Sequence, residues 1–393
     1  MVHKMQNLSI SFLQVINTVN PFLMVSIYRN THNYRLNNMF CQHFYGKFID
    51  FSSFSSVFIT NTVFRRGIGQ AVSFSSNGYY FSQLYTDRIN LSSSSVSVSG
   101  CSFLFIDTDS NSGALFISNE VSYAFLERNY FSSCTSYSGC AGAFSYSREM
   151  YVKECCFNNC SSFYYGGSGN GGSSLSLYNN LLGDVFFSTI VNGNRLHNCT
   201  HGSMNLLSSN TTFRHLNFTN CIGSPHVSFS CALVTYNGPN LEGFYVLFAG
   251  NINGSCITTA NIGNPFTIEN CIFANNSSPT TATFFLYNVQ FILNSCQFLN
   301  NDNVVFWFSG KSIVTANECY FEQPNNNTRF ANGTSIAVNP NNCVFNNQEI
   351  RHHSILKTLF KECLLMITPS PVITTRPKNR MIVSVLVWIQ IAE

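Results

Sequence analysis

Side chains able to do chemistry are sparse in this 393-residue chain, so each group can be weighed on its spacing. Asp107 and Asp109 in FIDTDSNSG stand at i and i+2, which on an extended backbone turns both carboxylates to one face, where they could hold a cation. The same stretch is rich in Ser and Asn, and an ordinary turn is the simpler account. His197 and His201 in HNCTH are four apart, the spacing of a zinc pair on a helix, but their surroundings read as loop or strand. His352 and His353 could be metal ligands or a solvated pair at a helix start, and the second is the reading taken. The glycine-rich GGSGNGGSS from Gly166 to Ser174 lacks the Lys and the strand–helix context of a phosphate loop. No catalytic, cofactor-binding or metal-ligating residue is assigned from these groups.

The 16 cysteines form no CxxC pairs of the zinc-ribbon kind. They fall in two registers of a recurring phrase. FTIENCIFANN (Cys271, Phe273) is followed by FILNSCQFLNN (Cys296, Phe298), VTANECYFEQP (Cys319, Phe321) and AVNPNNCVFNNQ (Cys343, Phe345), with Phe-to-Phe spacings of 25, 23 and 24 residues. Cys101 and Cys155 also stand two residues before a repeat Phe, and Cys134, Cys160 and Cys221 stand three after one. A period in this range, built of strand formers and punctuated by Asn and Gly, is the mark of a solenoid. Residues at a constant repeat position then stack about 4.8 Å apart. A buried thiol suits such a ladder, whereas in-register parallel strands aim both Cβ atoms the same way, which suits a disulfide poorly. The cysteines are therefore read as mostly free thiols.

Followed with drift, the phrase recurs at Phe40, Phe64, Phe103, Phe131, Phe157, Phe218 and Phe248, with blurred coils near Tyr80 to Leu84 and Phe187 to Ile190. About a dozen coils make a rod on the order of 60 Å long. Between the phrases lies a second apolar run (GALFIS, GAFSYS, SLSLYNN, CALVTYNG, TFFLYNV, VVFWFSG) closed by Asn, Gly or Ser, which gives two or three short strands per coil. The leucine-rich-repeat frame, with its intervening helices, is absent. Cys and Phe at i and i+2 point inward, while Val98, Val152, Ile268 and Leu293, three before the Cys, have the wrong parity for a straight strand and demand a corner in between. The Asn pairs 158–159, 275–276, 300–301 and 346–347 mark the next corner, since Asn tolerates left-handed φ and can stack its amides.

The expected fold is thus all-β: a right-handed single-stranded parallel β-helix (solenoid) of about 12 coils with a short C-terminal capping helix. Residues 1–32 form an N-terminal cap or first coils, since the run LSISFLQVINTVNPFLMVSIY is too polar for a signal-peptide core or a spanning helix. Residues 33–348 form the β-helix. Residues 349–367 show helical spacing (Ile355, Leu359, Phe360, Cys363, Met366) and close the end. Residues 368–393 form a Thr/Pro linker and a hydrophobic tail from Met381 to Ala392. That tail is short of the roughly 20 residues that span a bilayer. It reads as a last strand or frayed end, or as the start of an anchor, which leaves membrane association open.

Only 9% of residues are charged and the formal net charge is +3, with no basic cluster, so nucleic acid is not an expected partner. The GGA-like starts SGALFIS and AGAFSYS, with the FxxN-like Phe273–Asn276 and Phe298–Asn301, resemble the right-handed parallel β-helix repeats of polymorphic outer-membrane-protein-like surface proteins of chlamydial and protist type. Phe131–Cys134, Phe157–Cys160 and Phe218–Cys221 carry Cys where that phrase ends in Asn. The resemblance covers most of Asn33 to Asn347 and implies a surface-exposed, adhesion-like role, with an extracellular host or matrix ligand or a glycan as partner. No autotransporter barrel is evident at the C-terminus. Eleven N-x-S/T sequons, among them Asn198, Asn210, Asn217, Asn253, Asn275 and Asn332, agree with an extracellular or cell-surface, glycosylated chain. The competing reading is a polysaccharide-acting β-helix enzyme. Such chemistry needs clustered carboxylates, or carboxylate-bound calcium with a basic residue. The chain has six Asp (50, 87, 107, 109, 184, 302) and lacks the NTD, DD, GHG and RIK motifs of polygalacturonases. The sequence therefore favours a non-catalytic rod.

Overall fold

The computed structural model describes residues 6–18, 23–25, 32–51, 56–74, 94–108, 113–118, 121–136, 141–162, 174–178, 180–193, 202–207, 209–223, 230–277, 282–301, 304–322, 331–333 and 338–345. These residues wind into a parallel β-solenoid with three strands per coil. A first sheet stacks 13 strands from Gln6–Ser11 to Val338–Asn341, and a third stacks 12, from Leu23–Val25 to Ala331–Gly333. The second sheet, from Gln14–Thr18 to Val344–Phe345, has 15 strands, two of which (Thr135–Ser136, Ser161–Ser162) lie off the main path. Every strand pairing is parallel, and no helix occurs among the described residues. Three of the expected N-terminal strands form the first coil. The capping helix at 349–367 and the linker and tail at 368–393 lie outside the described residues.

The repeated phrase occupies the short second-sheet strand, and its Phe forms an inward column in two runs. Phe64, Phe103, Phe131 and Phe157 pair in direct register, as do Phe218, Phe248, Phe273, Phe298, Phe321 and Phe345. Their rings stack face to face, for example Phe103–Phe131 at 4.6 Å and Phe273–Phe298 at 4.9 Å. Burying each such ring contributes roughly 1.5–3 kcal/mol. Two blurred coils resolve differently from expectation. Ile190 takes the ladder place between Phe157 and Phe218. Tyr80 to Leu84 lie outside the described residues, and the strand Val63–Ile68 pairs directly with Ser102–Thr108, so no coil comes between those two strands. The Phe40 assignment is off by one: Cys41 pairs with Phe64 and is buried, while Phe40 pairs with Val63.

Both corners flanking this strand are left-handed. The first sits at the residue before the Cys (Gly100, Arg128, Glu154, Asn270, Ser295, Glu318), and the second lies two residues after the Phe (Asn159, Asn192, Asn220, Asn275, Asn300). Among the described residues 26 non-glycine residues have positive φ and 14 of them are Asn, in keeping with the Asn-rich composition: Asn tolerates this region best after Gly. The Asn pairs differ in register, since Asn159 aligns with Asn275, the left-handed member, and Asn158 with Ala274.

The Cys position has a polar duty besides filling space. Cys101 Sγ donates to Ser99 O at 3.4 Å and lies 3.6 Å from Ile59 O, and Cys155, Cys296 and Cys319 meet the equivalent carbonyls. Thr62, Asn129 and Ser188 stand at the same place and donate in the same way to Thr60 O, Val98 O and Phe186 O. A buried corner carbonyl needs a donor, and any of these four side chains supplies one. Three residues beyond the Phe, Asn251, Asn276 and Asn301 replace the Cys of earlier coils with a buried amide ladder. Among the described residues 12 cysteines stand outside any disulfide, 11 of them buried. Cys156, beside the core column rather than in it, is disulfide-bonded.

Candidate binding face

The residues singled out above for chemistry do not converge. Asp107 ends a second-sheet strand and accepts a hydrogen bond from Thr135 Oγ1 at 2.7 Å, which ties one coil to the next. Asp50 pairs with Lys47 at 3.3 Å. Asp87, Asp109, Asp302, His197, His201, His352, His353 and residues 166–173 lie outside the described residues. Among the described residues no group of three or more His, Cys, Asp and Glu could hold a metal, and no helix is long and apolar enough to cross a membrane.

What the fold brings together is a different set, on the outer side of the first sheet. Strand alternation sends every second residue outward, and parallel register lines these up in columns. One column runs Phe125, Tyr151, Asp184, Thr212, Glu242. Beside it runs Glu127, Lys153, Phe186, Arg214, Phe244. The first corner adds Arg128, Glu154, Phe187, His215 and Tyr245, all with positive φ. Five consecutive coils thus carry aromatic and charged side chains, whereas the preceding strand, Ser95–Ser99, presents only Ser95, Ser97 and Ser99.

Neighbouring coils pair these groups. Arg128 Nε meets Glu154 at 2.7 Å, and Lys153 Nζ meets Glu127 at 3.2 Å and Glu154 at 3.6 Å. The Arg128 hydrogen bond, against a smaller opposing effect of burial, holds the Glu154 carboxyl below the usual range. Phe125 stacks on Tyr151 at 5.0 Å. Phe187, His215 and Tyr245 form an exposed ring stack at 4.7 and 5.0 Å, and Arg214 sits 5.6 Å over Phe244.

Two carboxylates flank Tyr151. Glu149 accepts its hydroxyl at 3.1 Å, and Asp184 stands directly above it on the next coil. Burial, and then Glu149, push the Tyr151 phenol up, with a further contribution from Asp184. The Asp184 carboxyl is itself raised by burial, against a smaller opposing pull from Arg214. The arrangement can offer ring edges, acceptors and a few cations to a large ligand laid across the sheet.

None of this was visible along the chain, because the five outward members of one column are separated by intervals of 26, 33, 28 and 30 residues. No protein-family model, curated protein or solved structure matches the chain.

Proposed function

We propose that this protein is a non-catalytic β-solenoid displayed at or beyond the cell surface, an adhesive or structural rod whose ligand face is the outer side of the first sheet. One observation carries the reading. At the first corner six of the 13 coils place Asn, Gly or Ser, and Phe12 and Glu318 are isolated exceptions, but five consecutive coils place Arg128, Glu154, Phe187, His215 and Tyr245 there. Such backbone strain is tolerated where the outward side chain has a use. The disulfide at Cys156 adds support, since structural disulfides persist in oxidising compartments. The FxxN-like phrase, with its likeness to polymorphic outer-membrane-protein-like surface proteins, points the same way. An extracellular host or matrix ligand, or a glycan, is the partner this role implies. Antibody against the chain should label intact cells as strongly as permeabilised ones, and labelling only after permeabilisation would refute display.

A second reading is favoured by Glu149 and Asp184, two carboxylates on one face, with burial raising the Asp184 carboxyl above its usual range, the kind of pairing that glycoside cleavage uses. It requires turnover in a reducing-sugar assay over a polysaccharide panel that is abolished by Asp184→Asn. The adhesive reading expects no turnover.

A further inference from the structure

One outer column of the first sheet runs Arg35, Phe58, Ser97, Phe125, Tyr151, with a serine standing between two phenylalanine rings. Phe58, Ser97 and Phe125 are direct neighbours in register on three successive strands. Two rungs therefore separate the rings, about 9.6 Å, with only a serine between them. Each ring already has its other face occupied. Arg35 lies 5.6 Å over Phe58 on the preceding coil, and Tyr151 stacks on Phe125 at 5.0 Å with a 7° angle between planes. Both remaining faces open into the gap over Ser97. The rings are well exposed, Phe58 at 38% and Phe125 at 43%. The floor is the strand Ser95–Ser99, whose three outward hydroxyls, at Ser95, Ser97 and Ser99, are part-exposed. Tyr123 and Glu127 extend the far wall to either side of Phe125.

We infer that this slot binds a pyranose ring of a glycan, with the sugar taking the place of the missing aromatic rung. The inference rests on the reading of the first sheet as the ligand face and names the ligand class. A ring centred in the gap lies about 4.8 Å from each wall. That is loose for a flat base, whose ring atoms seek contact at about 3.5–4.0 Å, and suits a puckered saturated ring whose axial C–H bonds point at the aromatic faces. The serine hydroxyls and the Glu127 carboxylate then meet the ring's equatorial hydroxyls. The long axis of the slot follows the strand, so a linear glycan crosses the solenoid rather than running along it.

The full-length chain is tested on an immobilised panel of hexose, N-acetylhexosamine and uronic-acid oligosaccharides, with a single-stranded oligonucleotide alongside. The native chain should retain at least one oligosaccharide class. Ser97→Phe fills the slot by completing the ring stack, so it should weaken retention at least tenfold while leaving the melting temperature unchanged or higher. Phe125→Ser should also lose binding, whereas Tyr287→Ser, exposed on the third sheet and outside the ligand face, should keep it. Undiminished binding by Ser97→Phe, or no oligosaccharide retained, overturns the proposal. Retention of the oligonucleotide alone, lost in Ser97→Phe, assigns the slot to a flat base and equally overturns it. Display on intact cells without oligosaccharide binding defeats the slot and spares the surface role; slot-dependent binding by a chain never displayed does the reverse.

Discussion

Gly243 lies directly over Phe213 in the inward column of the first sheet, and a Cβ on Gly243 would overlap the Phe213 ring. The same arrangement recurs at Gly67, whose Cβ would meet the ring of Phe44. A large side chain on one coil is thus accommodated by the absence of one on the next, so the core is packed between coils rather than within each. Gly243→Ala should destabilise by about 1–3 kcal/mol through overpacking. Phe213→Leu made in the same chain should recover part of that loss. A double-mutant cycle in urea with no coupling between the two sites would contradict the packing.

Asn276 is buried and its side chain serves four bonds. Its Oδ1 accepts from Asn251 N and Nδ2, both at 3.0 Å, and its Nδ2 donates to Phe248 O at 2.9 Å and to Asn301 Oδ1 at 3.0 Å. Replacing it with Ala strands a buried donor and a buried carbonyl, and should cost about 1–3 kcal/mol. Asn276 is also a sequon, as is Asn217 at 3% exposure, while the adjacent sequon Asn275 is exposed. In chain made through a glycosylating pathway, peptide mapping should find Asn217 and Asn276 unmodified in the folded fraction. Glycan on Asn276 in folded material would contradict the amide ladder.

The core was legible because a solenoid repeats its packing at a near-fixed interval and the inward Phe is chemically distinctive. Legibility failed where chemical type and register disagreed. In MFCQ the conspicuous Phe40 lies one place from the ladder, and the small Cys41 occupies it. It failed again between Phe74 and Ser94, an interval of near-repeat length, because the strands of the coil before it, Val63–Ile68 and Val72–Phe74, pair directly with Ser102–Thr108 and Leu115–Ile117 of the coil after it. The Cys position was legible as a buried column but not as a carbonyl donor, because only the corner geometry shows which group it faces. The outer band was not legible at all. Outward neighbours belong to different coils, and insertions of variable length scramble their spacing in the chain.

The core thiols should be inert. Burial pushes Cys101, Cys155 and Cys221 up to about 12, against weaker opposing hydrogen bonds. At pH 8 iodoacetamide should label none of them until urea is added, since the thiolate is the nucleophile. The linkage follows the same sign. The folded state holds these protons above the usual thiol range, so their stabilisation is fully present below about pH 9. It fades as pH rises toward 12 and the unfolded chain ionises first. Denaturation midpoints should therefore fall between pH 9 and 11, and a Cys101→Ser, Cys155→Ser chain should lose less over that window. Rapid native labelling of Cys155 would refute the assignment.

Asp184 offers the complementary case. Its carboxyl is raised by burial, so the proton is held more tightly in the folded state than in the unfolded chain. A raised group contributes stability below its unfolded value, about pH 4, and loses it as pH climbs through the higher folded value. At neutral pH the ionised carboxylate is a net liability, relieved only in part by Arg214. Asp184→Asn should thus be more stable than the native chain in urea at pH 7, with the gap closing near pH 3. Removing the opposing cation in Arg214→Gln should widen it. If Asp184→Asn is instead destabilising at pH 7, the carboxylate has a partner that favours its charged form, and the argument from burial fails. The same variant scored for ligand retention separates the two uses of the face. A site that only binds through the Ser97 slot keeps its ligand, whereas an acid poised for glycoside cleavage loses turnover with its proton.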